Sequence, residues 1–172
     1  MEEKRMMQYA PPQTFAELEA LARECWHSAY DDTLLTRENV DYMLNLFQTA
    51  SAMEKQVRED GYIYFFLVDA GEKVGYCALQ PQGEMLFLSK LYLKASARGK
   101  GLGQRALGEV ISAAERTGAK SVWLTVNKGN ARAVRAYEKF GFVRSGEGVS
   151  DIGQGYVMDD YYYEYFIAGQ NA

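Results

Sequence analysis

The chain has 172 residues, of which 48% are hydrophobic and 13% aromatic, so it can build one globular domain with a real core and is not a disordered chain. Its net charge of −4 argues against nonspecific nucleic-acid binding, and its longest apolar run, at 62–68, is too short to cross a membrane. The first residues contain no apolar signal core, so we expect a cytoplasmic protein.

The first third of the chain predicts helices. Thr14 and Glu17 form a capping box ahead of apolar residues at helical spacing, which predicts a first helix ending near Tyr30. Thr36 is likewise predicted to cap a second helix, and a short third helix is expected at 52–59.

The chain has two cysteines, Cys25 and Cys77, and one histidine, His27. This set supplies neither a disulfide framework nor a metal cluster, so we expect no metal and place both cysteines in the core or lining a site. A lone helical histidine beside Trp26 is more often a packing residue, although a catalytic base stays open.

From position 62 the sequence changes to β-branched and aromatic runs separated by turn signals. These predict three antiparallel strands joined by hairpins, at 62–68, 74–80 and 85–93. A helix at about 101–117, a buried strand at 121–126, a helix at about 130–140 and two final strands at 142–148 and 156–167 are predicted to follow. The order αα(α)βββαβαββ contains one strand–helix–strand unit in an otherwise antiparallel sheet. We therefore predict a mixed α/β domain with helices on both faces.

A glycine-rich loop follows the third of these strands. Gly99, Gly101 and Gly103 alternate with Arg98 and Lys100 ahead of the predicted helix. Glycine lets backbone N–H groups approach an anion, the helix N-terminus adds positive potential, and the basic side chains add charge-assisted contacts. The loop therefore predicts a phosphate ligand.

Two other phosphate motifs compete for this loop. A P-loop is excluded, because the Gly-Lys-Ser/Thr ending is absent. Gly101, Gly103 and Ala106 fit the dinucleotide fingerprint G-x-G-x-x-A, but the next strand ends in Asn127 where an acidic residue should hold the ribose. A dinucleotide-binding module stays as an alternative.

A second motif, "LTVNKGNARAVRAYEKFGF", occupies 124–142 and opens the next helix. Together with the segment R-G-K-G-L-G at 98–103, it resembles the acetyl-CoA segments of the GCN5-related N-acetyltransferase (GNAT) superfamily. The layout is most similar to the bacterial polyamine and small-amine acetyltransferases of the PaiA type. The matching positions in the second motif are Asn130, Ala133, Tyr137, Gly141 and Phe142.

The resemblance implies the architecture in more detail. It predicts a mostly antiparallel central sheet of six to seven strands, splayed between strands four and five, with helices on both faces. It also implies one domain over 1–172, in which 1–60 form substrate-side helices, 62–145 the acetyl-CoA core and 146–172 the closing strands.

The resemblance further implies acetyl-CoA as cosubstrate, released as coenzyme A, and no metal. Backbone groups of the fourth strand would pair with pantetheine, and the glycine loop would cradle the pyrophosphate; these residues are Leu91, Tyr92, Leu93, Arg98, Gly99, Lys100, Gly101, Leu102, Gly103 and Gln104. Asn130 and Tyr137 are seven residues apart on one helix, so they share a face, separated by a rise of about 10 Å. Asn130 would contact the cofactor arm, and Tyr137 would be the general acid for the departing thiolate, with a core tyrosine as the alternative.

The implied reaction is direct attack of a neutral primary amine on the acetyl carbonyl through a tetrahedral intermediate. Ser89 stands where many relatives have a glutamate, so the base stays open among three carboxylates and a tyrosine acting through water. The carboxylates are Glu84, Asp159 and Asp160. Residues expected to contact the acceptor are Trp26, Tyr30, Ser89 and Tyr156.

Charge along the chain predicts a small cationic acceptor such as a polyamine. Segment 14–60 has ten acidic against four basic residues, the chain from 145 onward has five acidic and no basic residues, and 90–144 has twelve basic against three acidic residues. The acidic segments would wall the acceptor side, where aromatic rings can hold a cation.

Other functions stay open. The acids could be merely solvated, with a protein N-terminus, a lysine or an uncharged amine as acceptor. A non-catalytic acyl-CoA-binding sensor on the same scaffold is a further alternative. We expect no nucleic-acid or membrane partner, and a homodimer is one candidate assembly.

Overall fold

A computed structural model describes residues 4–30 and 35–169, and in these residues seven strands form one sheet with five α-helices on its two faces. The strands are β1 (Met7–Tyr9), β2 (Ile63–Asp69), β3 (Glu72–Gln82), β4 (Met85–Leu93), β5 (Ser121–Asn127), β6 (Val143–Gly153) and β7 (Tyr156–Phe166). The helices are α1 (Phe15–Tyr30), α2 (Arg37–Phe47), α3 (Ala50–Asp60), α4 (Leu102–Thr117) and α5 (Ala131–Phe140).

The helix starts follow their caps, with one exception. The Thr36 hydroxyl accepts a hydrogen bond from the backbone N–H of Asn39, as predicted, and Thr49 caps α3 in the same way, so this helix begins earlier than expected. The capping box predicted at Thr14 is wrong. Its hydroxyl donates to the Pro11 carbonyl (2.6 Å), because Thr14 belongs to a short 3-10 turn that precedes α1.

Strand β1 was missed by the sequence prediction. It is only three residues long and pairs antiparallel with β2. The backbone N–H groups of Met6 and Met7 also donate to the Glu109 carboxylate of α4, at 2.8 and 3.0 Å. Such a segment is ordered by partners distant in sequence, and three residues are too few to show an alternating pattern.

The sheet order β1-β2-β3-β4-β5-β7-β6 contains one parallel pair, β4 and β5, and all its other pairs are antiparallel. The parallel register joins only 85–87 to 121–123. From Leu88 onward the facing edges of β4 and β5 diverge, so the predicted splay and the predicted fold class are both confirmed.

A bulge bends β4 at the start of the splay. Ala78 of β3 faces Lys90, whereas Leu79 faces Leu88, which leaves Ser89 as the extra residue. Three residues before this bulge, β3 approaches β4 closely at Gly75, where a Cβ would collide with the Tyr92 carbonyl oxygen. Only glycine fits there without moving the strand that borders the splay.

The two faces of the sheet have separate cores. Helices α4 and α5 pack over one face, around Cys77 and Tyr163, and α1–α3 pack over the other, around Cys25 and Phe66. Both cysteines are buried free thiols, as predicted. Among the described residues, no helix combines the length and apolar character needed to cross a membrane.

A chain of buried polar groups crosses the α1–α3 core. The Trp26 indole N–H donates to the Tyr76 hydroxyl (2.6 Å), which donates to Gln48 Oε1 (2.6 Å). Gln48 Nε2 donates to the Tyr64 hydroxyl (3.1 Å), and this hydroxyl donates to Gln56 Oε1 (2.5 Å). These hydrogen bonds connect α1 and α3 to the sheet.

Candidate functional site

Two adjoining cavities lie at the splay. The first, here called the α1/α2 cavity, is walled by α1, α2, β4, β5, α5 and β7, and the second, the α4/α5 cavity, lies between β4, α4 and α5. Both are lined by Leu91, Tyr92, Asn130, Ala133 and Tyr137. The open edge of β4 therefore borders both cavities, and an extended ligand could add to it as a strand does.

Helix α5 presents Asn130 and Tyr137 to the same space, as their spacing predicted. The Asn130 side chain caps α5 by accepting from the Ala133 backbone N–H (3.2 Å). Tyr137 is buried, and burial raises the pKa of its hydroxyl. The phenol therefore stays protonated at neutral pH, as a proton donor must.

The glycine loop has a backbone conformation that favours glycine. Gly99 and Gly101 have φ of 77° and 76°, and Gly101 begins α4 with no side chain capping the first turn. The first-turn N–H groups of α4 are thus available to an anion. Gly99, Lys100 and Gly101 are exposed, and Gly103 lines the α4/α5 cavity.

Two residues of this loop have structural contacts in the fold. Leu102 is buried in the core. Gln104 Nε2 donates to the Ala136 carbonyl (2.9 Å), which holds α4 against α5. Neither side chain lines the two cavities.

Positive charge collects at the α4/α5 cavity. Arg98 lines it and donates to Ser28 Oγ (2.9 Å), and Arg132 of α5 lines it as well. Partial burial, followed by the charge of Arg132, lowers the pKa of Arg98. Two guanidinium groups this close favour an anion between them. Arg132 was not predicted as a site residue, because in the sequence it has the pattern of a solvated charge on an amphipathic helix.

Three of the four predicted acceptor residues line the α1/α2 cavity: Trp26, Tyr30 and Ser89. The Tyr30 hydroxyl hydrogen-bonds to the Tyr92 hydroxyl (2.8 Å). The fourth residue, Tyr156, lines neither cavity and packs against Tyr42 with ring centroids 4.6 Å apart.

The carboxylates considered as bases lie in different places. Glu84 is exposed in the turn before β4, at the end remote from the splay, and pairs with Lys120 (3.1 Å). Asp159 pairs with Lys128 (2.9 Å). Only Asp160 lines the α1/α2 cavity, where burial is the main cause that raises its pKa to about 6.

His27 lies outside both cavity linings. Its Nε2 contacts the Asp41 carboxylate at 2.9 Å, which links α1 to α2. This position agrees with the packing role that the sequence favoured.

Lys90 is a cavity residue that the sequence analysis did not single out. It lines the α1/α2 cavity, and burial lowers its pKa to about 8. Its ammonium donates to Ser89 Oγ (2.9 Å) and to the Ser89 carbonyl (3.3 Å). A lysine on a strand is normally read as solvated, so the sequence offered no signal. In the part of the chain that the structure describes, no three His, Cys, Asp or Glu side chains group together as a metal site.

Comparison with known proteins identifies a family that this chain resembles. The family model for the acetyltransferase (GNAT) family matches residues 15–142. An uncharacterized N-acetyltransferase of Mycobacterium bovis is 40% identical over 77 residues, which are 44% of this chain and 49% of that protein. The match thus spans about half the length of that curated relative.

Solved structures share the fold over nearly the whole chain. The PaiA N-acetyltransferase of Thermoplasma acidophilum, crystallised with coenzyme A, matches with a TM-score of 0.73 at 19% identity, covering 94% of this chain and 98% of that one. A GCN5-related N-acetyltransferase of Rhodopseudomonas palustris matches with a TM-score of 0.77 at 15% identity, covering 97% and 99%.

Proposed function

The chain belongs to the acetyltransferase (GNAT) family, and from this premise we propose that it is an N-acetyltransferase that moves an acetyl group from acetyl-CoA to the primary amine of a small molecule. The observation that supports this most directly is the splay itself. There an open strand edge and a buried tyrosine border both cavities, and an uncapped helix N-terminus lies beside the α4/α5 cavity.

The α4/α5 cavity suits the donor. Its lining is mainly apolar along β4, α4 and α5, which fits a pantetheine arm, and the unpaired edge of β4 near Leu91 and Leu93 can bond the arm's amides. The pyrophosphate would lie at the N–H groups that begin at Gly99, near Arg98 and Arg132. Acetyl-CoA supplies the activated acetyl group.

Transfer needs one proton donor and one proton acceptor. The amine nitrogen attacks the acetyl carbon, the carbon–sulfur bond breaks, and the thiolate takes the Tyr137 proton. Tyr137 borders both cavities, so it stands where donor and acceptor meet. Asp160 is the proposed proton acceptor, because it alone among the three candidate carboxylates lines the α1/α2 cavity.

The α1/α2 cavity suits the acceptor. Trp26, Tyr30 and Tyr92 give it an aromatic wall, and Asp160 offers a carboxylate to an amine that arrives as an ammonium ion. An amine that carries its proton as an ammonium group is the acceptor class that we propose, and the polyamine expected from charge along the chain is one candidate within this class. The cytoplasmic location, the single-domain organisation and the homodimer stay predictions.

Calorimetry with acetyl-CoA, coenzyme A and NADH, followed by thiol release from acetyl-CoA with an amine library, tests this proposal. We expect binding of both coenzyme A species, no binding of NADH, and thiol release that depends on an amine. Binding of NADH without acetyl-CoA would refute the proposal in favour of a dinucleotide module. Acetyl-CoA binding without transfer to any amine would favour an acyl-CoA sensor, in which Tyr137 has no chemical role.

A further inference from the structure

The α1/α2 cavity contains two opposite charges that do not contact each other. Lys90 of β4 and Asp160 of β7 both line it, and no ion pair within 4.0 Å joins them. Within the described part of the chain, the Asp160 carboxylate has no hydrogen-bond or ion-pair partner, although its residue is only 8% exposed. The Lys90 ammonium bonds only to the neighbouring Ser89, which leaves one of its three donors unused.

Both charges persist near neutral pH. Burial raises the pKa of Asp160 to about 6 and lowers that of Lys90 to about 8, and each group's charge opposes the shift of the other. Asp159 raises and Lys128 lowers the pKa of Asp160 by smaller amounts. At pH 7 the cavity thus presents a carboxylate and an ammonium that are separated and poorly solvated, and a ligand with complementary charges would satisfy both.

These charges face the acceptor rather than the donor. Neither Lys90 nor Asp160 lines the α4/α5 cavity, whose charged residues are Arg98 and Arg132. They are the two charged residues among the described ones that line the α1/α2 cavity.

Acidic residues of the N-terminal helices are engaged elsewhere. Glu17 pairs with Lys73 (2.7 Å), and Glu24 lies 3.8 Å from Lys94, both outside the α1/α2 cavity. Part of the negative charge of the N-terminal helices is therefore neutralised by these lysines and does not act on the cavity. A polycation would bring further ammonium groups towards Lys90, which repels them.

Given the proposed function, on which this step rests, we propose that the acceptor is a small zwitterion, an amino acid or a derivative with a free carboxylate, whose amino group lies at Asp160 and whose carboxylate lies at Lys90. The ammonium first gives a proton to Asp160, which releases it to solvent. The nitrogen then bonds to the acetyl carbon, the carbon–sulfur bond breaks, Tyr137 protonates the thiolate, and the second nitrogen proton restores Tyr137. Lys90 determines specificity and takes no part in these bond changes.

A comparison of matched acceptors tests whether the protein prefers an amine that also carries a carboxylate. Thiol release is measured with wild-type protein and the twenty common amino acids, the amide of each, the amine left by decarboxylation, and spermidine. We expect the best amino acid to exceed its own amide and amine by about tenfold or more in kcat/KM, as a charge-assisted bond predicts. Preference for the amide, the decarboxylated amine or spermidine overturns the inference.

Variants then test Lys90. Lys90→Met should lower kcat/KM for the carboxylate acceptor by about tenfold or more relative to kcat/KM for its amide, and Lys90→Arg should retain the preference for the carboxylate. Lys120→Met is the matched control, because Lys120 pairs with Glu84 away from both cavities. An equal loss of kcat/KM for the acid and for its amide in Lys90→Met would overturn the inference, since it would show that Lys90 does not recognise the carboxylate.

The outcomes separate the two proposals. Failure to bind acetyl-CoA, or failure to acetylate any amine, refutes the proposed function. Normal acetylation of amines without preference for a carboxylate refutes only the zwitterion. If Lys90→Met does not fold, the comparison of acid, amide and amine on the wild-type protein decides by itself.

Discussion

Replacing Asp160 by asparagine should raise stability while it removes activity. The substitution keeps the size of the side chain and deletes a charge that burial disfavours. Burial is the largest cause that raises the pKa of this carboxyl from 3.8 to about 6. At about 1.4 kcal/mol per pKa unit, keeping it ionised in the folded state costs about 3 kcal/mol above pH 6.

The direction in which stability changes with pH follows from proton binding. Between pH 3.8 and about 6 the folded state of the wild type holds more protons at this carboxyl than the unfolded state, so the group's contribution to stability falls as pH rises. Asp160→Asn has no such titration. The attraction of Lys90 is already included in this shift, but burying the polar amide of asparagine also costs free energy, so we expect a net gain of about 1–2 kcal/mol at pH 7.5 and a Tm higher by about 3–8 °C.

Urea unfolding at pH 7.5 and pH 4 measures this effect. The advantage of Asp160→Asn should shrink below about 1 kcal/mol at pH 4, because the folded carboxyl is then protonated and the unfolded one, with its ordinary pKa of 3.8, is only about half ionised. Asp159→Asn is the matched control; its carboxylate is 48% exposed and paired with Lys128, so a change within about 0.5 kcal/mol is expected. No gain at pH 7.5, or a gain independent of pH, would refute the reasoning.

Three further variants test other parts of the molecule. Tyr137→Phe should keep coenzyme A affinity in calorimetry and lose about 100-fold or more in kcat, and unchanged turnover would remove the hydroxyl from the mechanism. Arg132→Gln should weaken coenzyme A binding by about three- to tenfold, and the loss should be larger at low salt. Arg135→Gln is the control, because Arg135 is exposed on the same helix and lies outside both cavity linings, so coenzyme A binding should not change. Equal losses in the two variants would contradict an anion site at Arg132. Tyr76→Phe leaves an indole donor and an amide acceptor without partners in the core, so it should cost about 2–5 kcal/mol in urea unfolding, and a loss under about 1 kcal/mol would contradict the buried network.

Local signals predicted most of the fold. Strand β4 has the predicted bounds, because its apolar run ends at clear turn signals on both sides. Helix α4 ends at Gly118 and α5 at Gly141, as glycine caps require. The mixed sheet with a parallel pair follows from the chain order, since a strand–helix–strand unit must cross over.

Three features were predicted wrongly or missed, one because of a competing local hydrogen bond and two because they depend on distant partners. Thr14 carries the cap residue type, yet its hydroxyl bonds to the Pro11 carbonyl in a 3-10 turn. Strand β1 is too short for a pattern and is ordered by β2 and by Glu109. Tyr156 was assigned to the acceptor from its residue type, but the β6–β7 hairpin holds it against Tyr42.

The residues of the candidate site also fall into those predictable from local sequence and those placed only by tertiary structure. The sequence by itself determined that Asn130 and Tyr137 face one space, because seven residues on a helix return to the same side. It could not determine that Lys90 and Asp160 share a cavity. They are 70 positions apart on strands that do not pair, and only the splay of β4 from β5, together with the pairing of β7 with β5, brings their side chains to one place. Helical periodicity is a local property of the backbone, whereas the position of a buried charge depends on which strands pair and where that pairing ends.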